Sequence, residues 1–414
     1  MSKINDLIKE LCSDGVEYLE LYKVVKWNKR FGNVNKDWQS EILTTKSNVS
    51  AQELKSLLLD GGNIKLLSTG NFDGYTSNSI YSGYVDDFEV ITIPSGGTAN
   101  IKYYNGKFVN SGNILGTSIN KNKYSLKYIY YCLLNQKNLI QSFFRGSSVQ
   151  HPDMKQIIQI TLPIPPIEVQ EEIVKILDKF GELEAELEAE LEARKSQYEF
   201  WRGKVFNRDK DTIVTLETIG DVTKLAGFEF SKYVHYSDEG NVIALRGLNV
   251  KNGHLILDDV KYVDNSDFGK LNRSKLYEND ILYTYVGTVG QVGLVDKNDK
   301  YYLAPNVARI RIFDKKVNPK YVTNFLLTAE FKINQLESLS GKSSMKNITM
   351  TNIRKFKIPV PSLQEQERVV NILDKFDALV NDITEGIPAE IELRRQQYEY
   401  YRNKLLSFEE FLNE

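Results

Sequence analysis

Three segments of the chain hold side chains that could support catalysis, and each lacks a partner that the chemistry needs. Ser147 and Ser148 lie close in sequence to His151, but no orienting carboxylate or oxyanion loop is recognisable around them. Gly341-Lys-Ser could belong to a phosphate-binding loop, yet the position where that motif begins with glycine is Leu336. We therefore predict neither a serine nucleophile nor a nucleotide-binding loop.

The third segment, Asn318-Pro-Lys-Tyr321, is close to the Asn-Pro-Pro-Tyr motif with which amino-methyltransferases hold their target amine. Its third position is lysine, and no glycine-rich cofactor loop follows a buried strand. A helix with proline in its first turn explains the segment better. The chain is predicted to carry no catalytic site and no cofactor of its own.

The composition is that of an ordinary soluble protein, and we expect a cytoplasmic one. Of the 414 residues, 41% are hydrophobic and 26% are charged, and no run approaches the roughly 20 apolar residues of a membrane span. The two cysteines, Cys12 and Cys132, lie far apart, which favours a reducing compartment. Neither they nor the three histidines show metal-ligand spacing, so we predict no metal site.

What remains is binding, for which the polar, aromatic loops offer suitable groups. The chain has 24 tyrosines, many of them beside lysine or asparagine, as in Lys102-Tyr-Tyr-Asn105. Arginine, lysine, asparagine and glutamine can hydrogen-bond base edges in the major groove of DNA, while serine, threonine and backbone amides bind phosphates. Such side chains suit nucleic-acid reading, and they equally suit an ordinary surface rich in lysine and asparagine.

An internal duplication shows which elements would position these loops. Pro163–Phe180 returns as Pro359–Phe376 with 10 of 18 positions identical, and Arg194–Arg202 returns as Arg394–Arg402. A period of 196 residues is the size of a domain with an attached helix and is too long for a solenoid unit. The chain is therefore predicted to be a tandem duplication.

Each repeated segment follows a Pro-x-Pro sequence and reads as a long amphipathic helix, with apolar residues at steps of three and four. A helix from about Glu168 to Phe206 would be roughly 55 Å long. In the second copy Gly386 and Pro388 predict a break near residues 386–388. We expect the two apolar stripes to pack on each other. They comprise Leu177, Phe180, Leu183, Leu187 and Leu191 in the first helix and Leu373, Phe376, Ile383, Ile387 and Ile391 in the second.

The two copies differ in the stretch between their repeated motifs. Phe180 and Tyr198 are 18 residues apart, whereas Phe376 and Tyr398 are 22 apart. The first copy fills this stretch with Glu-Leu-Glu-Ala units from Glu182 to Ala193. A four-residue repeat is not a heptad, so its leucine stripe drifts around a straight helix.

Charge is segregated along the chain in step with this organisation. The net charge is +4 over residues 1–162, −5 over 163–206, +5 over 207–358 and −6 over 359–414. Two mildly basic regions thus alternate with two acidic helical segments. The basic excess is too small to establish DNA binding by itself.

The two basic regions read as α+β. Tyr84–Pro94 and Tyr301–Ile312 have the β-rich, turn-bounded composition of strands. The starts of the two regions also match weakly, with Val16–Val24 against Val214–Val222. The predicted order is therefore globular region, helix, globular region, helix.

Over essentially its whole length the chain resembles the specificity (S) subunit of type I restriction-modification systems. The resemblance is carried by the opening Ile4–Glu17 and by the duplicated helical motifs. It is also carried by Glu278–Val292, which is similar to the family's Gly-Asp-Ile-Leu … Gly-Thr-x-Gly element with Asn279 in place of the usual glycine. The resemblance implies two target-recognition domains, each reading one half of a split DNA sequence, joined by two long antiparallel coiled-coil helices with pseudo-two-fold symmetry.

The resemblance further implies a non-catalytic subunit that works within a larger complex. It would bind double-stranded DNA and dock two methyltransferase (M) subunits, which use S-adenosylmethionine. Restriction (R) subunits, which use ATP with magnesium, would join the full complex. Two other interpretations stay open: a coiled-coil protein-interaction scaffold, and the specificity module of another restriction type.

On this interpretation residues 1–162 and 207–358 are the two recognition domains, and residues 163–206 and 359–414 are the spacer helices. The Glu-Leu-Glu-Ala segment would then set the length of the unread DNA between the half-sites. Loop position and side-chain chemistry supply the candidate DNA contacts. They are Lys102, Tyr103, Arg145, Ser147, Gln150 and His151 in the first domain and Arg246, Thr288, Gln291, Lys342, Ser344 and Lys346 in the second.

Overall fold

A computed structural model describes residues 2–206, 212–225, 230, 232–337, 347–382 and 385–410 of the chain. The chain divides into unit 1, made of Met1–Glu186 and Glu392–Glu414, and unit 2, made of Leu187–Ile391. Each unit therefore combines an α+β region with parts of the long helices. Among the residues described, no helix is both long and apolar enough to span a membrane.

Unit 1 is built around a mixed six-stranded sheet. The strands of unit 1, inside and outside this sheet, are β1 (Glu17–Glu20), β2 (Val25–Trp27), β3 (Ile64–Leu67), β4 (Tyr75–Thr76), β5 (Asp86–Pro94), β6 (Lys102–Asn110), β7 (Asn113–Ser118), β8 (Phe144–Arg145), β9 (His151–Pro152) and β10 (Thr161–Ile164). The sheet has the order β2-β7-β5-β6-β3-β4, in which β3 and β6 run parallel and the other neighbours antiparallel. Strand β1 pairs with β10, and β8 pairs with β9.

Three helices of unit 1 begin where a polar side chain caps them. Ser50, Ser125 and Asp153 each accept a hydrogen bond from the backbone N–H three residues ahead, which satisfies one of the free donors of the first turn. The helices are α1 (Ser2–Leu11), α2 (Leu21–Val24), α3 (Ala51–Ser56), α4 (Leu126–Asn135), α5 (Lys137–Ser142), α6 (Met154–Ile157) and α7 (Ile167–Val205), with a 3-10 turn at Lys36–Gln39. Helix α7 is continuous over 39 residues and agrees with the predicted range to within one residue at each end.

Unit 2 contains a smaller sheet and more short strands. They are β11 (Thr212–Thr215), β12 (Gly220–Lys224), β13 (Ile243–Leu245), β14 (Val250–Lys251), β15 (His254–Leu255), β16 (Lys261–Tyr262), β17 (Ile281–Thr284), β18 (Val292–Leu294), β19 (Tyr301–Leu303), β20 (Val307–Ile312) and β21 (Lys357–Val360). The sheets have the orders β12-β20-β17-β18 and β16-β13-β19, and β14 pairs with β15 and β11 with β21.

The helices that follow complete the chain. They are α8 (Leu216–Ile219), α9 (Pro319–Leu326), α10 (Ala329–Phe331), α11 (Met350–Arg354), α12 (Leu363–Asn381) and α13 (Ile387–Leu405). Short 3-10 turns lie at Gly247–Asn249, Phe268–Lys270 and Asn272–Ser274, and a π-helical turn at Lys332–Leu336. Helix α9 begins at Asn318-Pro319, where Asn318 caps the helix and proline occupies its first turn, as the sequence predicts.

The duplication extends into the sheets, where the sequence repeat is not visible. Strands β2, β7, β5 and β6 of unit 1 have the same order and antiparallel directions as β12, β20, β17 and β18 of unit 2. The two units thus share a four-stranded core. They differ in what is added to it: β3 and β4 extend the sheet in unit 1, whereas unit 2 carries the β16-β13-β19 sheet and the β14–β15 hairpin.

Strand pairing corrects two details of the sequence reading. The backbone N–H of Leu21 donates to Ile160 and that of Leu216 to Phe356, both at 2.9 Å, so these two leucines are equivalent. The weak match predicted above, which equates Leu21 with Ile219, is wrong by three residues, because a short apolar pattern can slide whereas strand pairing allows one register. The β-rich run Tyr301–Ile312 also divides into two strands of different sheets.

A buried glutamine anchors each long helix to the globular region before it. The Gln170 side chain is fully buried, and its Oε1 accepts a hydrogen bond from the backbone N–H of Ser125 at 2.9 Å. Its Nε2 donates to the carbonyls of Lys123 at 3.0 Å and Pro165 at 2.7 Å. Three backbone groups at the start of α4 and at the end of the Pro-x-Pro segment are therefore satisfied by one side chain.

Unit 2 repeats this arrangement with Gln366. Its Oε1 accepts from the N–H of Asn318 at 2.8 Å, and its Nε2 donates to the carbonyls of Lys316 and Pro361, both at 2.9 Å. The duplicated sequence motif thus encodes a duplicated hydrogen-bond set. It fixes the angle at which each helix leaves its globular region.

A second pair of contacts lies further along each helix. Asp178 of α7 accepts from Lys127 at 2.7 Å and from the hydroxyl of Tyr131 at 2.5 Å. Asp374 of α12 is paired with Lys320 at 2.8 Å. Lys127 lies in the first turn of α4 and Lys320 in the first turn of α9. Each long helix is therefore bound to the start of the same short helix at two points, through its glutamine and through its aspartate.

Aromatic residues of the two repeated motifs pack on each other within each unit. In unit 1 the Phe180 ring lies 5.4 Å from Tyr401 and 6.4 Å from Tyr398, and Glu184 accepts from Arg395 at 2.6 Å. The two segments run antiparallel there, since ascending positions on α7 meet descending positions on α13. In unit 2 Phe376 stacks on Tyr198 with centroids 6.1 Å apart.

The residues of the two predicted apolar stripes are buried to different extents. Leu177, Leu373, Ile387 and Ile391 are buried. Phe180, Leu183, Leu187, Leu191 and Phe376 are half-buried, and Ile383 lies outside the described residues. Leucines spaced every four residues drift off the contact line, which explains why the Glu-Leu-Glu-Ala stretch is only partly covered.

Helix α12 ends at Asn381 and α13 begins at Ile387, so the second copy is interrupted where the first is continuous. A Cβ atom at Gly386 would lie 2.6 Å from the carbonyl oxygens of Ala378 and Asp382. Glycine is therefore required at this close approach of backbone to backbone.

The glutamine anchors yield a paired test. We expect Gln170→Ala to lower the free energy of unfolding of unit 1 by about 2–4 kcal/mol, because it leaves three backbone groups without this partner, the carbonyl of Pro165 in a buried position. In hydrogen exchange, amides at the start of α4 should lose protection while those at the start of α9 keep it. Gln366→Ala should give the reverse, and the exposed Gln159→Ala should change neither. Equal loss in both units from either variant would contradict separate anchors.

Candidate nucleic-acid interface

Three loops of unit 1 meet around the β8–β9 hairpin. Arg145 pairs with His151 across the hairpin, and the intervening residues, Ser147 and Gln150 among them, are exposed. Even Val149 at this tip is 53% exposed. The hairpin therefore presents a guanidinium, hydroxyls and an amide to solvent, groups that suit phosphates and base edges.

The loop between β5 and β6 holds the base of this hairpin. The N–H of Gly97 donates to the carbonyl of Gln150 at 2.8 Å, and the Gln141 side chain bridges Gln150 at 3.2 Å and the N–H of Ala99 at 2.7 Å. Nδ1 of His151 lies 2.6 Å from the carbonyl oxygen of Ser95. A carbonyl only accepts, so Nδ1 carries the proton and Nε2 is left as the outward acceptor of the neutral ring.

Lys102 joins the third loop to this cluster. Its Nζ donates to the carbonyls of Ser68 at 2.8 Å and Gly70 at 2.6 Å, and Asn100 donates to the same loop at Thr69 and Gly70. Burial lowers the pKa of the Lys102 ammonium. Lys102 lies with the predicted loops, but its ammonium is occupied in holding one of them in place.

Tyr103 lies apart from these loops. Adjacent strand residues point to opposite faces of a sheet, and Tyr103 faces α4, where its hydroxyl donates to Glu89 at 2.8 Å and its ring lies 5.8 Å from Tyr130. Burial and the hydrogen bond to Glu89 raise the pKa of Tyr103. Of the six candidates in unit 1, the fold groups five and separates this one.

In unit 2 a threonine holds the loop that lies between β17 and β18. Oγ1 of Thr284 donates to the carbonyl of Thr288 and accepts from the N–H of Gln291 at 2.9 Å, which closes the loop between β17 and β18. Thr288 is exposed at its tip. A Cβ atom at Gly247 would lie 3.8 Å from the Thr284 methyl group, so the backbone next to Arg246 passes close to Thr284.

Arg246 is held by its own loop. Its Nη2 donates to the side chain and the carbonyl of Asp259, both at 2.8 Å, and its Nε is buried without a hydrogen-bond partner. The predicted contacts Lys342, Ser344 and Lys346 lie outside the described residues. The described residues resume at Asn347, which pairs with Val286 in the loop between β17 and β18.

The element Glu278–Val292 serves mainly as a scaffold. Asn279 has φ 70°, a conformation that glycine adopts freely and asparagine tolerates, which explains the residue exchange at this position. Asp280 is buried and accepts two hydrogen bonds from Arg311, both at 2.6 Å. Within the element, Glu278 and Asn279 before β17 are exposed, as is the tip of the loop that follows β17.

The sequence reading missed the residues that hold these loops. Gln141, Asn100 and Thr284 form the side-chain-to-backbone hydrogen bonds described above. No local pattern marks Gln141 and Asn100, because their partners Ala99 and Thr69 lie 42 and 31 residues away in sequence, whereas Thr284 bonds residues four and seven positions ahead. Among the residues that the structure describes, no group of three or more His, Cys, Asp or Glu side chains could hold a metal ion.

A family model described as the type I restriction modification DNA specificity domain matches residues 38–193 and 214–393. A Haemophilus influenzae protein named as a type I restriction enzyme specificity subunit is 31% identical over 87% of this chain and 92% of its own length. The Escherichia coli type I restriction enzyme EcoR124I/EcoR124II specificity subunit is 30% identical over 99% of this chain and 98% of its own.

Solved structures show a similar fold. A type I restriction-modification S subunit from M. genitalium aligns with a TM-score of 0.56 over 95% of this chain and 96% of its own, at 13% identity. A chain from work on complex assembly and conformational transition of the type I R-M system aligns with a TM-score of 0.59 over 95% of this chain and 97% of its own, at 15% identity.

The role of Lys102 as an internal link can be tested directly. We expect Lys102→Met to increase hydrogen exchange and proteolytic cleavage at residues 68–74, because that loop loses its ammonium donor. Lys107→Met, on the same strand but exposed, is the matched control and should leave the loop unchanged. Unchanged exchange in Lys102→Met would contradict this role of Lys102.

Proposed function

Because this chain belongs to the type I restriction-modification DNA specificity family, we propose that it reads a bipartite DNA sequence, one half-site per unit. It is a specificity subunit, and specificity subunits of this family are not themselves catalytic. The finer assignments, namely which loops read DNA and which surfaces dock partners, are argued below from the contacts of each unit.

The observation that supports this proposal best is a shared scaffold with unlike loops. Both units have the same four-stranded core and the same glutamine anchor. The exposed loops that they carry differ in length, sequence and internal bonding. A duplicated scaffold with divergent loops is what two different half-sites require, since base readout depends on individual side chains.

In unit 1 the reading surface would be the β8–β9 hairpin, with Arg145, Ser147, Gln150 and His151 facing the duplex. In unit 2 the reading surface would be the loop between β17 and β18, which carries Thr288 and Gln291, together with the neighbouring Arg246. Lys102 would act by holding the loop, without direct contact. The candidates Lys342, Ser344 and Lys346 remain proposals from the sequence.

The helices would dock two methyltransferase subunits through equivalent aromatic patches. On α7, Phe200 is 60% exposed, and Lys204 lies 5.4 Å from its ring and from that of Trp201. On α13 the equivalent Tyr400 is also 60% exposed, with Lys404 at 6.0 Å. Exposed aromatic residues beside a cation are typical of protein interfaces, and two copies of the patch suit two copies of one partner.

The partner subunits would supply the chemistry. On this proposal S-adenosylmethionine binds to the methyltransferase subunits, and ATP with magnesium binds to restriction subunits that join the full complex. This chain would contribute sequence readout and assembly.

Two other functions are distinguishable by one binding experiment. A coiled-coil protein-interaction scaffold would bind duplex DNA, if at all, without sequence preference. A specificity module of another restriction type would recognise DNA without needing separate methyltransferase subunits. Duplex binding by the full chain, with and without its methyltransferase partner, separates these outcomes.

The function itself is tested by mapping methylated adenines across the genome of cells that carry the complete system. We expect one bipartite sequence with two different halves and a fixed spacer. Arg145→Ala combined with Gln150→Ala should weaken selection of one half only, because each lost base contact costs about 1–3 kcal/mol of discrimination.

The control is Lys137→Ala, an exposed change outside the hairpin in the same unit, which should leave both halves intact. A single continuous recognition sequence, or equal weakening of both halves by the hairpin variant, would contradict the proposal.

The continuous Glu-Leu-Glu-Ala helix gives a separate test. Deleting Glu186–Ala189 removes about 6 Å of helix, compared with roughly 3.4 Å per base pair of DNA. We expect the unread spacer to shorten by about one or two base pairs while both half-sequences stay the same. Glu186→Gln keeps the helix length and should keep the spacer. Altered half-sequences with an unchanged spacer would refute the idea that this segment measures distance.

A further inference from the structure

The β14–β15 hairpin of unit 2 ends in a tight turn that is pinned to the core sheet. Asn252 and Gly253 both have positive φ, 50° and 94°, as a two-residue hairpin turn requires. The N–H of Gly253 donates to the carbonyl of Val292 at 2.8 Å, and its carbonyl accepts from Leu294 at 3.1 Å. The turn is therefore hydrogen-bonded alongside β18.

The same hairpin reaches helix α12 through one side chain. Nε2 of His254 lies 3.2 Å and 3.0 Å from the two carboxylate oxygens of Asp377. Asn381, one turn further along α12, donates to Asp377 at 2.9 Å and helps to fix the carboxylate. The His254 side chain is 51% exposed and that of Asp377 23% exposed, so the pair lies at the edge of the unit where protons exchange freely.

A cavity of about 500 Å³ separates the hairpin from the helices around this pair. It is lined by the hairpin, by residues of α9 and α12, and by Tyr198 of α7. The hairpin and α12 are thus not joined by close apolar packing at this place. In the described part of unit 2, the hydrogen bond between His254 and Asp377 spans the gap between the hairpin and α12.

The hairpin is also rigidly connected to Arg246. Asn249 is fully buried, and its Oδ1 accepts from the N–H of Arg246 at 3.1 Å. Its Nδ2 donates to the carbonyls of Ile256 and Asp259, both at 2.8 Å, and Asp259 in turn holds the Arg246 guanidinium. A shift of the hairpin would therefore move this guanidinium.

We propose that His254 and Asp377 form a protonation-dependent clasp that positions the β14–β15 hairpin and, through it, the guanidinium of Arg246. The proposal rests on the proposed function, in which unit 2 reads one half-site. His254 is then a positioning residue that touches no DNA. Affinity for the half-site of unit 2 falls as the clasp opens.

The described residues of unit 1 contain no equivalent of this clasp at the corresponding position of α7. The residue of α7 that corresponds to Asp377 in the duplicated motif is Gly181, which has no carboxylate. The part of the pH dependence that His254→Lys removes is therefore expected only for the half-site of unit 2.

The pKa shifts agree with this geometry. The hydrogen bond and the charge of Asp377 raise the pKa of His254 above its ordinary value, although burial, Lys320 and Arg202 oppose this. Burial opposes ionisation of Asp377, but the hydrogen bonds from His254 and Asn381 and the charge of His254 outweigh it and lower the pKa of that carboxyl. The pair is charged between the two pKa values.

The sign of the pH dependence follows. A raised histidine pKa contributes stability that is complete below the ordinary value near 6.5 and is lost as pH rises through the raised pKa. The clasp therefore weakens as pH rises through the raised pKa of His254, where the histidine loses its charge, and again at low pH where Asp377 is protonated. The other charged or titratable groups that line the space around the pair are Lys251 on the hairpin, Glu278 and Asp296 in adjoining loops, Lys320 on α9, Asp374 on α12, Asp382 just after α12, and Tyr198 and Arg202 on α7.

The first measurement is a titration by NMR of the full chain with labelled histidine. The chain has three histidines, which single substitutions assign. We expect His254 to titrate above the ordinary value near 6.5 and to move back towards it in Asp377→Asn. An unchanged His254 titration in Asp377→Asn would overturn the clasp.

The second measurement uses the complex with its methyltransferase partner, bound to duplexes in which one half-site at a time is scrambled. The half-site of unit 2 is the one that the Arg145 and Gln150 variant leaves unaffected. Wild-type affinity that depends on this half-site should fall about three- to fivefold from about pH 6 to about pH 8.5, the size expected for one partly exposed ion pair.

Matched variants separate the clasp from a merely structural role. His254→Gln should be weak at every pH, and His254→Lys, which stays charged, should restore binding and remove the pH dependence. His235→Gln, an exposed histidine of the same unit, should behave as wild type.

Identical pH profiles in the wild type and in His254→Lys would overturn the proposal. Loss of sequence preference for both half-sites in the wild type would instead refute the proposed function, while the NMR titration would still report on the clasp.

Discussion

The structure depends on one constraint, which is that a long helix must leave a β-sheet domain without stranding backbone groups at the joint. Gln170 and Gln366 meet it by bonding three backbone groups each from a fully buried position. An unpaired buried amide or carbonyl would cost about 1–3 kcal/mol, so the joint has one favourable geometry. The ion pairs of Asp178 and Asp374 fix the same helices at a second point.

This constraint separates the parts of the molecule that can change from those that cannot. The anchors, the four-stranded core and the aromatic contacts of Phe180 and Phe376 recur in both units, because each depends on neighbours that would have to change together. The candidate reading loops are held by a few side-chain-to-backbone hydrogen bonds, such as those of Gln141 and Thr284. They can therefore diverge without loss of the scaffold, which is the property that a DNA-reading surface needs.

Much of the scaffold was predictable, because helix periodicity and the repeated motif are local signals. Helix α7 agrees with its predicted range, and the break of the second copy lies between Asn381 and Ile387, where Gly386 was expected to interrupt it. The candidate site was less predictable. Lys102 and Tyr103 are adjacent in sequence, yet one holds a loop and the other faces α4, since alternate residues of a strand face opposite sides of its sheet.

The sequence by itself determined the duplication, the two long helices and the family, because identical residues at a fixed period and apolar residues at helical spacing are properties of the chain alone. Tertiary structure decided which strands are equivalent, which polar residues are structural and where loops meet. Those outcomes depend on hydrogen bonds between distant residues, such as Leu21 with Ile160 and His254 with Asp377. No local pattern encodes such pairs, since each partner is chosen by the fold that brings it near.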